Sequence, residues 1–278
     1  NEIDAPEVMP GHVVIDVKSG SINFPDVLMI QGLYQFQPPL PFIPGGESAG
    51  VISEVGEGVT KFKEGDKVFA MTGVGAFAEK ILAAESNCMP IPESMDFDSA
   101  AALSMTYGTS LYALKQRASL QPGETLLVLG ASGGVGLAAI ELGKAMGAKV
   151  IAAASTQDKI DMCLSHGADE GFIYPSSNLD RDQQKELSNK IKELTGGLGP
   201  NVIYDPVGGS YAEPCLRSIA WEGRYLVIGF AAGADQIPKM PLNLTLLKGC
   251  QIVGVFWGAW VGQFPDENKK NFDELFNL

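Results

Sequence analysis

The sequence predicts an α/β protein: a doubly wound parallel sheet, preceded by a β-rich unit. Three observations carry that prediction. From residue 126 onward, apolar β-branched runs alternate with amphipathic segments, as in successive βα units of a parallel sheet. At residues 126–136 the run LLVLGASGGVG breaks into a glycine-rich turn and resumes as the apolar start of a helix. The first hundred residues differ, with short β-like runs punctuated by Pro-Gly, Gly-Gly and Glu-Gly turns, an all-β signature. A chain of 278 residues is long enough for two domains, each with its own core.

In chain order, the β-like runs fall at residues 12–18, 50–55, 67–71 and 76–82. Residues 1–3 read as a strand entered midway. Pro38, Pro39 and Pro41 mark an irregular loop ahead of Gly45 and Gly46. A helix is expected from Asp98, with Ala100, Ala101, Leu103, Leu111, Tyr112 and Leu114 apolar. Residues 125–129, apolar without a break after Thr125, suit a strand buried on both faces. The helix after them should run to Gly147, a left-handed stop, with Leu137, Ile140, Ala145 and Met146 available for burial. Residues 149–155 give the next strand, and GFIY, ending at Tyr174, the third.

Asp180 with Gln183 forms a capping-box pattern for RDQQKELSNKIKEL, and Gly196-Gly197 ends that helix. Its Leu187, Ile191 and Leu194 form one buried stripe, and the charged remainder reads as a solvated face rather than a partner site. A strand at 201–204 follows, then a short helix opened by Ser210 with Glu213 in capping-box position, and strands at 224–230 and 251–256. Phe272, Leu275 and Phe276 have helical spacing with no stop signal after them, so the chain reads as truncated at both ends.

The glycine turn is a phosphate cradle. Read as a G-x-G-x-x-G pattern it is Ala131-x-Gly133-x-x-Gly136, with Ala131 in place of the first glycine. Gly133 lets backbone come close to a ligand, and Gly136 lets helix pack on strand. Unpaired N–H groups at the helix start, around Ser132, Gly133, Gly134, Val135 and Gly136, make a site for a pyrophosphate. No Lys-Ser or Lys-Thr follows, which excludes a Walker loop. A dinucleotide without a 2′-phosphate calls for an Asp or Glu at the end of the second strand, to bind the ribose hydroxyls. This chain has Ala153-Ala154-Ser155 there, then Lys159, with Tyr174 ending the third strand. A hydroxyl, a cation and a phenol suit a 2′-phosphate, so NADPH is expected over NADH, although Asp158 and Asp161 flank the lysine. Gly208, Gly229 and Phe230 end later strands on the carboxyl side, where the nicotinamide half belongs.

The net charge of −13 argues against non-specific nucleic-acid or anionic-membrane binding by the surface as a whole, without excluding a local basic patch. No apolar run reaches membrane-spanning length. Cys88, Cys163, Cys215 and Cys250 are scattered without a C-x-x-C pair and read as isolated thiols of a cytoplasmic protein. His12, in a Pro-Gly turn, and His166, before Gly167, are the two histidines, and neither has a second ligand near it in sequence. No metal site is expected. Trp257 and Trp260 serve a pocket, a subunit interface or the core equally well.

A set of local patterns then accumulates: Asn23-Phe24-x-Asp26 with Gly32-x-Tyr34, Pro44-Gly45-Gly46-Glu47-x-x-Gly50, Gly56-x-Gly58-Val59, Gly65-Asp66-x-Val68, Gly108-Thr109, and the Ala131–Gly136 loop. In combination they resemble the medium-chain dehydrogenase/reductase superfamily, in its zinc-free quinone oxidoreductase branch, over essentially the whole chain. The resemblance implies a GroES-like catalytic domain at residues 1–107, a Rossmann NADPH-binding domain at 108–257, and at 258–278 the start of the segment returning to the catalytic domain. Where zinc-dependent relatives carry a catalytic Cys and a Gly-His-Glu, this chain has Asn23 and Gly45-Gly46-Glu47. Without a Lewis acid, the zinc route of alcohol oxidation gives way to hydride transfer onto an already electrophilic quinone or enone. By the same resemblance Asn23, Asp26, Tyr34 and Thr109 line a cleft between the domains. Thr109 lies near the nicotinamide carboxamide, and Tyr34 is the first candidate to orient substrate or supply a proton. Asp26 as a loop buttress and Tyr34 as packing are the competing readings. The family implies a homodimer built edge to edge through residues 251–255. It also leaves two alternatives open, an enoyl-thioester reductase and a non-catalytic, crystallin-like NADPH-binding protein.

Overall fold

The computed structural model describes residues 2–176 and 178–278. It divides into two compact units, Asn1–Met105 and Thr106–Leu278.

The first unit is an antiparallel sheet. Its strands are β1 (His12–Ser21), β2 (Glu47–Val55), β3 (Lys67–Met71), β4 (Lys80–Ala84) and β5 (Cys88–Pro90), in the order β4-β1-β2-β3-β5. Val13, Ile15, Ile52, Val68, Ala70, Ile81 and Ala83 alternate inward to form its core. Gly50 is required where β2 crosses β1, because a Cβ there would lie 2.2 Å from the Asp16 carbonyl oxygen. The run expected at 76–82 begins later, at Lys80. Ala76 and Phe77 instead donate their N–H groups to Gly45 and Pro44, tying down the loop before β2. Glu2 and Ile3 lie outside any strand, and Asn1 is outside the described residues.

Two further elements were not anticipated. Strand β5 is short, and helix α1 (Phe24–Ile30) opens on Asn23, whose N–H donates to the Asp26 carboxylate at 2.7 Å, with Pro25 in its first turn. Helix α2 (Phe97–Leu103) starts one residue before the expected Asp98, because Asp96 caps it by accepting from the Ser99 N–H at 2.7 Å.

The second unit opens with α3 (Thr109–Leu111) and a wider-pitched turn, Tyr112–Arg117. Then β6 (Thr125–Val128), α4 (Gly134–Ala145), β7 (Lys149–Ala154), α5 (Gln157–Ser165), β8 (Glu170–Ile173), α6 (Arg181–Leu194) and β9 (Val202–Asp205) alternate along the chain. They continue as α7 (Ala212–Ser218), β10 (Arg224–Val227), α8 (Asn243–Lys248) and β11 (Gln251–Gly254). All neighbours pair in parallel, in the order β8-β7-β6-β9-β10-β11. That is the doubly wound order, with its reversal point between β6 and β9. Most of these strands end one to three residues earlier than the sequence suggested, because Leu129, Ile228–Phe230 and Val255–Phe256 already belong to the loops at their carboxyl ends, whereas β9 ends one residue later, at Asp205.

Helix α4 buries Ala138, Ala139, Ile140, Leu142 and Gly143, whereas Ala145 is exposed and Leu137 and Met146 are half-buried. Small side chains decide this face: a Cβ on Gly143 would lie 2.7 Å from Leu126 Cδ2. Helix α7 is not opened by a Ser210 cap. Residues Gly209–Tyr211 form a 3-10 turn, and the Ser210 hydroxyl accepts from the Leu179 N–H at 2.9 Å instead. After β11, α9 (Trp257–Gln263) and α10 (Pro265–Leu275) pack within this unit. Trp257 is buried against Gly108 and donates to Asn268, and Trp260 stacks on Tyr112 with centroids 4.5 Å apart. Both tryptophans are therefore core. Among the described residues, no helix is long and apolar enough to cross a membrane.

Candidate functional site

The glycine turn sits at the carboxyl end of β6, beside the point where strand order reverses, the crevice that open α/β sheets offer to ligands. Its left-handed residue is Gly130 (φ +56°), one position before Ala131. Ala131 keeps ordinary backbone, is fully buried, and donates its N–H to Ala153, which is why alanine serves there. Gly136 is dictated by packing: a Cβ would lie 2.6 Å from the Gly130 and Ala131 carbonyl oxygens. At Gly133 the same test meets only the Gly130 oxygen, at 3.3 Å, so the space in front of the turn is open. Gly133 caps α4 without a side chain, and the amides of Gly134, Val135 and Gly136 have no intramolecular partner among the described residues. Open amides at a helix start with room before them fit a pyrophosphate.

A buried network fixes this turn from behind. Ser110, next to Thr109, donates to the Val135 carbonyl at 3.0 Å, and its hydroxyl lies 2.8 Å from the buried Tyr204 hydroxyl. Tyr174, expected at a phosphate, is buried, and its hydroxyl accepts the Gly130 N–H at 3.1 Å. Burial pushes its phenol up to about 12. Ser155 and Lys159 are brought together at the end of β7: Lys159 Nζ donates to Ser155 Oγ at 3.1 Å. Thr156, absent from the sequence reading, caps α5 with its hydroxyl on the Lys159 N–H.

Across the reversal point, Gly130 and the turn after β9 touch, since a Cβ on Gly130 would lie 2.9 Å from Val207. That turn is organised by Asp205, a second residue missed in the sequence. Its carboxylate accepts the Val207 and Gly208 N–H groups, each at 2.8 Å, and the Tyr225 hydroxyl. Burial raises its pKa against those hydrogen bonds. Gly208 is left-handed (φ +69°), and a Cβ on it would lie 3.0 Å from the Phe230 ring and 3.7 Å from the Gly229 oxygen. The three strand-end residues thus form one cluster.

In the first unit, the half-buried Asn23 joins the buried Asp26 and Glu47 in one polar group. Asp26 is 2 % exposed and accepts the Asn23 N–H at 2.7 Å beside the Gly45-Gly46 backbone, while burial raises its pKa. It thus buttresses the Gly45-Gly46 loop. Asn23 Nδ2 donates to Glu47 Oε1 at 2.7 Å and to Ser21 Oγ at 3.3 Å. The second oxygen of Glu47 accepts the Met105 N–H at 2.8 Å and the Ser104 hydroxyl. Burial raises the Glu47 pKa, opposed by those donors. Tyr34 is half-buried, and burial, then the charge on Asp26, raises its phenol. The donor set does not suit a metal: Asn23 turns its amide nitrogen to Glu47, and Gly46 offers no side chain. Among the described residues, no cluster of three His, Cys, Asp or Glu side chains could hold an ion. All four cysteines are free and buried.

The alcohol dehydrogenase GroES-like domain model matches residues 9–93, and the zinc-binding dehydrogenase model matches residues 134–275. Quinone oxidoreductase-like protein 2 homolog of Nematostella vectensis is 40% identical over 264 residues, spanning 94% of this chain and 69% of that protein. Quinone oxidoreductase of Rattus norvegicus is 34% identical over 256 residues, spanning 92% of this chain and 74% of that protein. The crystal structure of Escherichia coli quinone oxidoreductase complexed with NADPH superimposes with a TM-score of 0.87 at 29% identity, covering 100% of this chain and 82% of that one. With both domain models matched in order, and relatives of 40% and 34% identity matching 94% and 92% of it, this chain belongs to the zinc-free quinone oxidoreductase branch of the medium-chain dehydrogenase/reductase superfamily.

Proposed function

We propose that the chain is an NADPH-dependent oxidoreductase that reduces a quinone or an α,β-unsaturated carbonyl without a metal. The observation that carries this reading is the pairing of three open amides at Gly134–Gly136 with the Lys159–Ser155 contact at the end of the next strand. The amides suit the pyrophosphate, and Lys159 with Ser155 suits a phosphate on the adenosine ribose. Tyr174 supports the cradle from beneath through the Gly130 N–H. Gly208, Gly229 and Phe230 shape the nicotinamide end, where Thr109 holds the carboxamide. Bound NADPH supplies the hydride.

The residues of this chain then handle the proton. Tyr34, its phenol raised by burial and by Asp26, stays protonated at neutral pH and can donate to the reduced acceptor. Asn23, oriented by Glu47, supplies a polar contact to the acceptor oxygen, and Asp26 holds the Gly45-Gly46 loop behind it. The acceptor is a small molecule, the working assembly a homodimer joined along β11, and the setting the cytoplasm. The exposed edge of β11, with Ile252 at the surface, supports the dimer.

Steady-state NADPH oxidation against benzoquinone, naphthoquinone, a simple enone and an acyl-CoA enone tests the proposal. Turnover of a quinone or simple enone is expected. Turnover of the acyl-CoA substrate alone would make the chain an enoyl-thioester reductase. NADPH binding with no turnover of any acceptor would make it a non-catalytic, crystallin-like protein.

A further inference from the structure

The second unit carries a groove of about 570 Å³ between α6, α7 and the end of α8, and none of the proposed cofactor residues line it. Arg181, Lys185 and Lys192 line it from α6, and Arg217 and Lys248 face it from the other helices. Its single carboxylate, Glu213, is already held by Arg217 at 2.6 Å. The remaining four cations have no ion-pair partner among the described residues. In a chain of 33 acidic and 20 basic side chains, that concentration runs against the overall balance.

The sequence of α6 builds this asymmetry. Arg181, Lys185 and Lys192 recur at helical spacing on the face toward the groove, while Asp182, Glu186 and Glu193 recur one residue later and line none of it. The charged surface of α6, which reads in sequence as uniformly solvated, is therefore sorted by sign. Like charges held around one concavity repel, and an anion that enters relieves the repulsion. The guanidinium of Arg181 offers a planar fork that matches phosphate oxygens, with Lys185, Lys192 and Lys248 as added point charges, while Arg217 neutralises Glu213. The volume lies within the usual range for small-molecule sites.

We propose that this groove binds a small molecule carrying two or more phosphate groups, at a site separate from the dinucleotide cradle. Isothermal titration of tripolyphosphate into the NADPH-saturated protein at low salt tests it. Saturable binding at one site per chain is expected, weakened at least about tenfold in a Lys185→Glu/Lys192→Glu variant. Lys190→Glu, on the same helix but outside the groove, and Lys159→Ala, at the cofactor strand end, should leave it unchanged. Lys185 is exposed and Lys192 half-buried at the groove rim, so the variant should fold, and its circular dichroism checks this. Absence of saturable binding, or equal weakening by Lys190→Glu, would overturn the proposal, the latter showing diffuse charge. Loss of binding on Lys159→Ala would place the anion in the cofactor site and overturn it too. Tighter binding of hexaglutamate than of tripolyphosphate would make the groove an acidic-peptide surface, again against it.

Discussion

Glu47 holds a carboxyl group out of water and surrounds it with donors from Asn23, Ser104 and Met105. Burial raises its pKa above the ordinary 4.5, so above that value the folded chain keeps a proton that the unfolded chain has lost. Stability contributed at this residue therefore falls as pH rises from 4.5 through the raised value. Glu47→Gln removes the titration, and urea denaturation between pH 4 and about 7 should show a flatter pH dependence than the parent. Tyr34→Phe is expected to lower kcat for quinone or enone reduction by about 10²-fold, the usual size of a lost proton donor, with little change in NADPH affinity. Asn23, Asp26 and Tyr34 could be singled out in sequence because they sit in short local patterns. The hold of Glu47 on Asn23 and Met105 was not, since those partners lie 24 and 58 residues away. Asp205 escaped for a related reason: an acid at a strand end looks like any turn residue until the turn folds back onto it.

The loop from β6 into α4 separates two uses of glycine. Gly136→Ala would push a Cβ to 2.6 Å from two backbone oxygens, and overpacking of this kind costs about 1–3 kcal/mol. Gly133→Ala meets only one oxygen at 3.3 Å, so it should leave the melting temperature nearly unchanged while weakening NADPH binding. Thermal melts with cofactor titrations on the two variants separate these outcomes. The strand–turn–helix was readable because its apolar periods and its glycines agree. The left-handed backbone at Gly130 was not, because a pattern of glycines does not state which one carries the positive φ. Helix α1 was readable in principle through Asn23-x-x-Asp26 and Pro25, a capping pattern overshadowed by the irregular prolines after it. The Ser210 cap failed because its hydroxyl found a long-range partner in Leu179, and tertiary contact outranks a local capping pattern.

At the scale of the molecule, the sequence divides into two cores because two hydrophobic periodicities divide it, period two before residue 100 and alternating βα after it. The proposed dinucleotide cradle lies wholly in the second unit. NADPH at 100 times its Kd should add about 2.7 kcal/mol to the stability of that unit, seen as a higher melting temperature that saturates with cofactor. Selection of a dinucleotide with a 2′-phosphate is proposed to rest on Lys159 and Ser155. The direct measurement is the Kd of NADPH and of NADH for the parent and for Lys159→Ala. NADPH is expected to bind at least about tenfold more tightly than NADH, and Lys159→Ala to erase most of that difference by weakening NADPH alone. Equal affinities for the two cofactors, unmoved by Lys159→Ala, would contradict it.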